Sequence, residues 1–446
     1  MNLIEFSALE ARNKLMNGEI SAYDLTHAYL DQISDIDEDI NAWSFLDHRH
    51  ALNQARAADE TRAQGMPVGA LFGLPVAVKD IFDTYDMPTE CGTSVYSGRK
   101  PAHDSTVAAL LRQAGAIIIG KSVTTELAMY GPGKTRNPHD KSRTPGGSSS
   151  GSAAVVAAKM APLAVGSQTN GSIIRPASFC GVVGYKPSHG LISRSGSLVL
   201  SSPLDTVGVF GKTVTDVALI GDALAFFDSS DNCMSPKACP NLLEHMNNGI
   251  SIDPTFAFVK SPAWNKGHND LKAGFNELTE ELGDLCEEVG LPDIFTQGAK
   301  LHRTIMIADV ARNLGPLYDK NKNDINSELC QMIEEGRNVK AIDYNNAIEL
   351  REVLNAGLDQ IFERYDAIIT PSTTGEAPKT LEYTGNPVFC SLWTFCGVPA
   401  ITLPLLIGDN SMPIGVQMIG QRGYDARLLR NAQFLSSHLA RCMDAT

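Results

Sequence analysis

The sequence lacks an excess of basic residues and any long apolar run. Its 446 residues carry 37 Lys and Arg against 51 Asp and Glu, a formal net charge of −14. This charge argues against nucleic acid or an anionic membrane as a partner. No apolar run of about 18 residues occurs, and the opening residues lack the basic segment and apolar stretch of a signal peptide. We therefore expect a soluble protein that is not exported and has no membrane partner.

Cysteine and histidine are present without a metal-binding pattern. The nine Cys residues are scattered and form no CxxC pair, which is typical of free thiols in a reducing cytoplasm. The ten His residues form no HExxH motif. With 43% hydrophobic and 20% charged residues, the composition is that of an ordinary packed protein. The sequence therefore predicts a cytoplasmic protein without a bound metal.

Helical and strand patterns alternate along the chain. Residues 7–35 have a helical period, and Ser21 with Asp24 forms a capping pair for a helix that runs to about Ile33. Alternation of such segments with β-branched runs indicates an α/β fold. Strands are predicted at 71–80, 114–122, 161–168, 365–372, 398–407 and 413–420, a small-residue helix at 152–160, and a helix-rich middle at roughly 215–365. No linker divides the chain, which favours a single domain.

The most unusual segment is the Gly/Ser cluster TPGGSSSGSAA at 144–154. A phosphate loop would need Lys where Ser152 stands. A nucleophile elbow centred on Ser149 fits GxSxG, but an elbow follows a buried strand and the preceding HDKSRTP is polar. The SxxK and SDN patterns of penicillin-binding enzymes also occur, without the KTG element. None of these three interpretations is supported by its surroundings.

A flexible linker is the remaining alternative for this cluster. Its flanks argue against a linker, because an apolar helix begins directly after Ser152 and a second Gly/Ser turn follows at 167–176. Hydroxyls and glycines at two turns of one α/β domain favour an acyl-transfer site. Serine supplies a nucleophile, and glycine lets backbone amides approach a developing oxyanion.

The chain resembles the amidase signature family. The segments that carry the resemblance are GLPVAVKDIFDT (73–84), GAIIIGKSVTTEL (115–127), RTPGGSSSGSAAVVAA (143–158), VGSQTNGSIIRPASFCGVVGYKP (165–187), LDTVGVFGKTVTD (204–216), GVPAITLP (397–404) and MPIGVQMIG (412–420). The resemblance implies one amidase signature domain over 1–446, in which a large mixed β-sheet is flanked by α-helices on both sides. Its motif core covers about 70–216, and about 220–350 is a variable helical region.

The resemblance implies a Ser, cis-Ser, Lys triad formed by Ser172, Ser148 and Lys79, with a cis peptide bond between Gly147 and Ser148. The residues make chemical sense, since a serine hydroxyl needs a base and none of these motifs contains His. Lysine can act as that base only when neutral. Lys79 ends the run LPVAV, and burial there would lower its pKa from about 10.4 towards neutrality. Ser148 would then relay the proton between Ser172 and Lys79.

The resemblance also implies an oxyanion hole formed by the backbone amides of Thr169, Asn170, Gly171 and Ser172. Asn170 stands where the family commonly has glycine; asparagine keeps the amide donor and tolerates left-handed backbone. Its side chain adds bulk or a donor close to the site. Gln168, a supporting residue, stands where many members carry Asp.

Two further residues are expected to support the site. Ser149 belongs to the cluster beside Ser148, whereas the neighbouring Ser150 is a candidate cap for the following helix. Arg175 is expected to anchor the loop, with Asp80 or Asp216 as its ion-pair partner. Ser172 itself is also a candidate cap, for a helix that begins at about residue 173.

Substrate specificity is expected to come from variable walls near the site. The candidate pocket residues are Tyr130, Gly131, Pro132, Phe389, Trp393 and Phe395, and core packing is the alternative for the aromatic ones. The expected partner is a small-molecule amide, ester or carbamate, no nucleic acid takes part, and a homodimer is left open.

The resulting functional hypothesis is a serine-dependent amidase, a hydrolase of linear carbon–nitrogen bonds other than peptide bonds. It would cleave small carboxamides or anilides through an acyl-enzyme, accept esters and urethanes, and use no cofactor. Two alternatives stay open at this point. One is the catalytic chain of a tRNA-dependent amidotransferase, its A subunit, and the other is an inactive binding protein on the same fold.

Overall fold

A mixed eleven-stranded sheet forms the centre of the protein, in a computed structural model that describes residues 2–445. Met1 and Thr446 lie outside the described residues. The strands are β1 (Trp43–Leu46), β2 (Pro75–Lys79), β3 (Ile117–Ser122), β4 (Leu163–Gln168), β5 (Val183–Lys186), β6 (Thr206–Gly211), β7 (Phe256–Phe258), β8 (Cys286–Glu288), β9 (Ala367–Pro371), β10 (Ala400–Ile407) and β11 (Pro413–Ile419). Their spatial order is β1-β3-β2-β4-β6-β5-β10-β11-β9-β7-β8.

Helices cover both faces of this sheet, which confirms the predicted α/β architecture. In the described part of the chain they are α1 (Ala8–Asn17), α2 (Ala22–Ile40), α3 (His48–Ala63), α4 (Thr106–Gln113), α5 (Ser150–Ala157), α6 (Ile174–Cys180), α7 (Val214–Leu224), α8 (Leu242–Asn247), α9 (Asn269–Leu282), α10 (Gly298–Asn321), α11 (Ser327–Arg337), α12 (Ala341–Phe362), α13 (Val388–Cys396) and α14 (Asp425–Ala445). Within residues 2–445, none of these helices is both long enough and apolar enough to cross a membrane.

The register of the central strands positions the candidate site. Strand β2 pairs in parallel with β3 on one side and with β4 on the other. All five β2 residues are buried, as expected for a continuous apolar run with both faces covered. Val78 lies opposite Val165, so the carboxyl ends of β2 and β4 meet at the same edge of the sheet. Lys79, the last residue of β2, is therefore placed beside the last residues of β4.

The second helix is longer than its predicted end at Ile33. Ser21 accepts a hydrogen bond from the Asp24 amide at its start, which confirms the predicted cap. The helix continues to Ile40 because the apolar positions continue at helical spacing past Ile33. It ends at Asn41, which adopts a left-handed conformation with φ of 56°.

The predicted helix-rich middle contains α7 to α12, together with two three-residue strands that the pattern did not indicate. These are β7 and β8, which pair in parallel beyond β9. One hydrophobic cluster runs from Ala8 in α1 through the sheet to Leu435 in α14. The continuous sheet and core support the proposal of a single domain.

Candidate active site

Lys79 is completely buried at the end of β2 and contacts two serine hydroxyls. Its Nζ lies 2.8 Å from Ser148 Oγ and 2.9 Å from Ser167 Oγ. Burial lowers the pKa of Lys79 to about 7, and the nearby Asp205 carboxylate opposes this shift. A substantial fraction of this amine is therefore neutral near pH 7, and a neutral amine can accept a proton.

The loop that carries Ser148 is held from several sides. The Gly147–Ser148 peptide bond is cis, as the resemblance implied. The Ser148 carbonyl accepts from the Thr125 amide at 3.1 Å, and the Gly147 carbonyl accepts from Arg175 Nη2 at 2.7 Å. A side chain at Gly147 would bring a Cβ within 2.9 Å of Thr125 Cγ2, so the loop needs glycine there. These contacts fix the Ser148 hydroxyl next to Lys79.

The predicted nucleophile Ser172 lies in the turn between β4 and α6. The residue is 8% exposed, and its hydroxyl makes no hydrogen bond with any group that the structure describes. The structure therefore brings Lys79 and Ser148 into direct contact but does not close a hydrogen bond from Ser148 to Ser172. Such bonds often tighten only when substrate is bound.

Gln168, rather than Ser172, caps helix α6. Its Oε1 accepts from the backbone amides of Ile173 at 2.8 Å and Ile174 at 3.0 Å. Its Nε2 donates to Thr394 Oγ1, which in turn donates to the Asn170 carbonyl at 2.6 Å. The alternative role of Ser172 as the cap of this helix is therefore wrong, because a glutamine four residues upstream of Ser172 fills it. The Ser172 hydroxyl is left available.

The start of this turn is fixed by two residues that the sequence analysis did not identify. Thr169 Oγ1 donates to Asp205 Oδ1 at 2.6 Å, while His302 Nε2 donates to the Thr169 carbonyl at 2.8 Å. Burial raises the pKa of Asp205 and lowers that of His302 to about 4, so this histidine is neutral. Asp205 belongs to the motif LDTVG and could have been found there. His302 lies in the variable helical region, where no sequence signal marks it.

Gly171 allows close packing of the turn against α13. A Cβ at this position would lie 2.9 Å from Pro387 Cβ and 3.2 Å from Cys390 Sγ. Two residues of α13 also bind Asn170. Ser391 Oγ donates to Asn170 Oδ1 at 2.7 Å, and Thr394 Oγ1 donates to the Asn170 carbonyl. The four amides predicted to form the oxyanion hole are thus held on a turn with fixed neighbours.

The other cluster serines have structural contacts. Ser149 Oγ binds both backbone groups of Ser167, at 3.2 and 3.3 Å, and so joins the start of α5 to β4. Ser150 donates to the Val123 carbonyl rather than capping α5, so its predicted capping role is wrong. No strand lies in residues 139–149, which removes the structural requirement for a nucleophile elbow at Ser149.

Arg175 binds the site loop, and none of the carboxylates that the structure describes pairs with it. It donates to the carbonyls of Gly147 and Gly385. The predicted pairing with Asp80 or Asp216 is wrong. Asp80 lies 3.5 Å from the buried Lys121, and Asp216 accepts from residues at the starts of α1 and α7. Both carboxylates are occupied elsewhere, and carbonyl dipoles offset the guanidinium charge instead.

A cavity of about 320 Å³ opens beside the Ser172 turn, and its walls differ from the predicted pocket. Tyr130 lines it, whereas Gly131, Pro132, Trp393 and Phe395 do not. Trp393 and Phe395 are 1% and 0% exposed and belong to the core. The residues that do line it are Tyr130, Asn170, Ala299, His302, Arg303, Met306, Met332, Asn386, Pro387, Val388 and Ser391.

Phe389 lines a separate cavity of about 140 Å³ with Phe295. The prediction failed for α13 because the helix is buried all round, so its aromatic side chains pack inwards. Its Ser391 and Thr394, three residues apart and therefore on one face, contact the turn instead.

Comparison with known proteins agrees with this geometry. The family model described as Amidase matches residues 24–429. Among curated proteins, the chain is 32% identical to the A subunit of the glutamyl-tRNA(Gln) amidotransferase of Alkaliphilus metalliredigens, over 98% of this chain and 97% of that protein. It is 33% identical to the corresponding protein of Streptomyces coelicolor, over 96% of this chain and 95% of that protein.

Solved structures show the same fold. One is the peptide amidase of Stenotrophomonas maltophilia, with a TM-score of 0.84 and 26% identity over 97% of this chain and 96% of that chain. Another, described as a vestigial complex that reveals the evolutionary origins of an s-triazine catabolic enzyme, has a TM-score of 0.89 and 28% identity over 97% and 98% of the two chains. The sequence motifs, the mixed sheet, the family match and these relatives together place the chain in the amidase signature family.

Proposed function

We propose that this chain is a serine-dependent amidase that hydrolyses small carboxamides and anilides. The observation that carries the proposal is the contact between the buried Lys79 amine and the Ser148 hydroxyl at 2.8 Å, on the edge of the sheet where Ser172 lies. A lysine with a pKa of about 7 is suited to gain and lose a proton at neutral pH.

The reaction proceeds in two halves. Neutral Lys79 accepts the Ser148 proton as Ser148 accepts that of Ser172, and Ser172 Oγ bonds to the substrate carbonyl carbon. The amides of the turn from Thr169 to Ser172 stabilise the resulting oxyanion. When the carbon–nitrogen bond breaks, the proton returns through Ser148 to the leaving amine. Water then repeats the sequence on the acyl-Ser172 ester, which releases the acid and restores the hydroxyl.

Ester and carbamate cleavage follows from the same chemistry. The oxyanion hole binds the former carbonyl oxygen whatever the leaving group is, and the relay protonates the atom that departs. We therefore propose esterase and urethanase activity beside the amidase activity, with Gln168, Ser149 and Arg175 holding the site in place.

The names of the curated relatives favour a second candidate, the A subunit of an amidotransferase. The donor in such an enzyme would be glutamine, which carries an ammonium and a carboxylate. In the described residues, the cavity beside Ser172 is lined by the cation Arg303 and by no Asp or Glu. The carboxylate of Glu335, which does not line the cavity, is paired with Arg303, so the lining offers no anion for the ammonium group. This favours a free-standing amidase over a glutamine-dependent one.

The deciding experiment treats the purified chain with a serine-directed fluorophosphonate and assays an anilide, an aryl ester, a carbamate and glutamine. Labelling mapped to Ser172, with turnover of the first three substrates, would support the proposal. Unlabelled protein without turnover would point to the inactive binding protein. Activity on glutamine alone, or only after partner proteins are added, would favour the amidotransferase.

A further inference from the structure

The cavity beside the Ser172 turn is lined by side chains that carry hydrogen-bond donors. Asn170 and Asn386 both line it. Asn386 Oδ1 accepts from the Val388 backbone amide at 3.0 Å, and Asn170 Oδ1 accepts from Ser391 Oγ at 2.7 Å. A backbone N–H can only donate, so the Asn386 carboxamide has a single orientation.

The Asn386 oxygen is held by a backbone amide, so the NH₂ group of Asn386 faces away from that contact. The single proton of the Ser391 hydroxyl can reach Asn170 Oδ1 at 2.7 Å or the Pro387 carbonyl at 3.3 Å. The nearer acceptor is Asn170 Oδ1, which turns the NH₂ group of Asn170 away from Ser391. Within residues 2–445, no acceptor is hydrogen-bonded to Nδ2 of Asn170 or to Nδ2 of Asn386. Neither nitrogen is among the buried polar atoms that lack a partner, so both keep access to solvent. Two amide donors therefore remain available in the cavity.

A positive charge lies in the same wall. Arg303 Nη2 pairs with Glu335 at 2.5 Å, and no other guanidinium nitrogen of Arg303 is hydrogen-bonded within the described chain. A guanidinium carries five N–H donors, so most remain available. His302 adds no charge, because burial lowers its pKa to about 4. The described lining residues include no carboxylate.

We propose that the enzyme selects amides that carry a carboxylate close to the scissile bond. Arg303, Asn170 and Asn386 are the specificity-determining residues. A carboxylate is the chemical complement of this wall, since it accepts several hydrogen bonds and pairs with a guanidinium. The inference rests on the proposed amidase function and specifies its substrate class.

The test compares matched substrates that differ only in the carboxylate. Succinic acid mono-4-nitroanilide is paired with butyric 4-nitroanilide, and the butyryl amide of 3-aminobenzoate with butyranilide. One pair places the charge on the acyl side and the other on the leaving group. We expect kcat/KM to favour the charged member of at least one pair by about tenfold to hundredfold, the range of a charge-assisted hydrogen bond.

Variants then identify the residues responsible. R303Q should reduce the preference about tenfold, and N170D and N386D should reduce it further because each places a carboxylate in the cavity. R337Q is the matched control. Arg337 is an exposed arginine of α11 that pairs with Asp319 and does not line the cavity, so its loss should leave the preference unchanged.

A binding measurement separates this inference from the proposed function. Succinamate should raise the melting temperature of the chain more than butyramide does, and R303Q should abolish the difference. If labelling and turnover are present but both pairs react equally, the specificity proposal is wrong and the amidase function stands. If succinamate binds selectively but Ser172 is neither labelled nor active, the cavity assignment is supported and the amidase function is wrong.

Discussion

The lowered pKa of Lys79 predicts how the activity should depend on pH. Burial lowers that pKa to about 7, and only the neutral amine can accept a proton from Ser148. The value of kcat/KM should therefore rise with pH through an apparent pKa near 7 and then reach a plateau. A pH–rate profile on an uncharged anilide measures this directly. A profile that falls over the same range would contradict a basic role for Lys79.

Substitution of Lys79 tests the same role without a pH series. Arginine keeps the positive charge but cannot lose its proton near neutrality. K79R should therefore be nearly as inactive as K79M, which has no titratable group. Substantial turnover by K79R would show that charge alone is required. Circular dichroism on both variants controls for loss of folding.

The contacts of Ser172 and Ser149 indicate which of the two serines is the nucleophile. Ser149 is engaged with the Ser167 backbone, whereas the Ser172 hydroxyl is not engaged by any described group. S172A should lower kcat by about 10⁴-fold or more, as removal of a nucleophile does. S149A should retain far more activity, and its main effect should be on stability. Fluorophosphonate recovered on Ser149 in a peptide map would reverse the assignment.

At the level of elements, Gln168 links strand β4 to the start of α6 and to α13. It accepts two amide hydrogen bonds and donates one to Thr394. Q168A should lower the free energy of unfolding by about 1–2 kcal/mol, the usual cost of a lost helix cap. It should also lower kcat, since the Ser172 turn loses its support. Chemical denaturation and steady-state kinetics measure the two effects.

T394V is the matched control for this prediction. It removes the hydroxyl that binds Gln168 Nε2 and the Asn170 carbonyl, but it leaves the α6 cap intact. T394V should therefore impair kcat with a smaller loss of stability than Q168A. Equal losses of stability would indicate that Gln168 stabilises the protein through its contact with α13 rather than through the α6 cap.

The strands that the sequence predicted are those with continuous β-branched or apolar runs. β2, β3 and β4 lie inside their predicted ranges because central strands with both faces covered need such runs. β5 and β6 were missed, although both are fully buried, because neither has three consecutive apolar residues uninterrupted by glycine. β7 and β8 are three residues each and exist only through pairing beyond β9, which no local pattern can reveal.

The predicted site residues were those embedded in contiguous motifs. The contact of Lys79 with Ser148 and the cis bond at Ser148 followed from the resemblance. The residues that were missed reach the site through tertiary packing alone. His302 comes from α10 and Ser391 from α13, and each binds the turn across more than a hundred residues of sequence. Spacing along the chain carries no information about such contacts.

Across the whole molecule, the proposed triad and part of the cavity wall come from different parts of the chain. Lys79, Ser148 and Ser172 belong to the motif core of the sheet. Arg303 and Met332, which line the cavity, belong to α10 and α11 in the region with the least resemblance to the family. We therefore expect substitutions in these two helices to change substrate preference without disturbing the strands that carry the proposed triad.

The last prediction is that the isolated chain is active without partner proteins. Its net charge of −14 opposes docking of a tRNA, and its cavity offers a cation but, within the described residues, no anion. Glutaramate is glutamine without the α-amino group. It should therefore be hydrolysed faster than glutamine, because none of the described residues that line the cavity is a carboxylate that could pair with the ammonium group of glutamine.

Ammonia release from each compound, measured on the chain alone, provides the test. S172A is the control for background hydrolysis. Faster release from glutaramate would support a free-standing amidase for carboxylate-bearing amides. Preference for glutamine on the chain alone would contradict the specificity assigned to the cavity. Activity that appears only after partner proteins and tRNA are added would favour the amidotransferase.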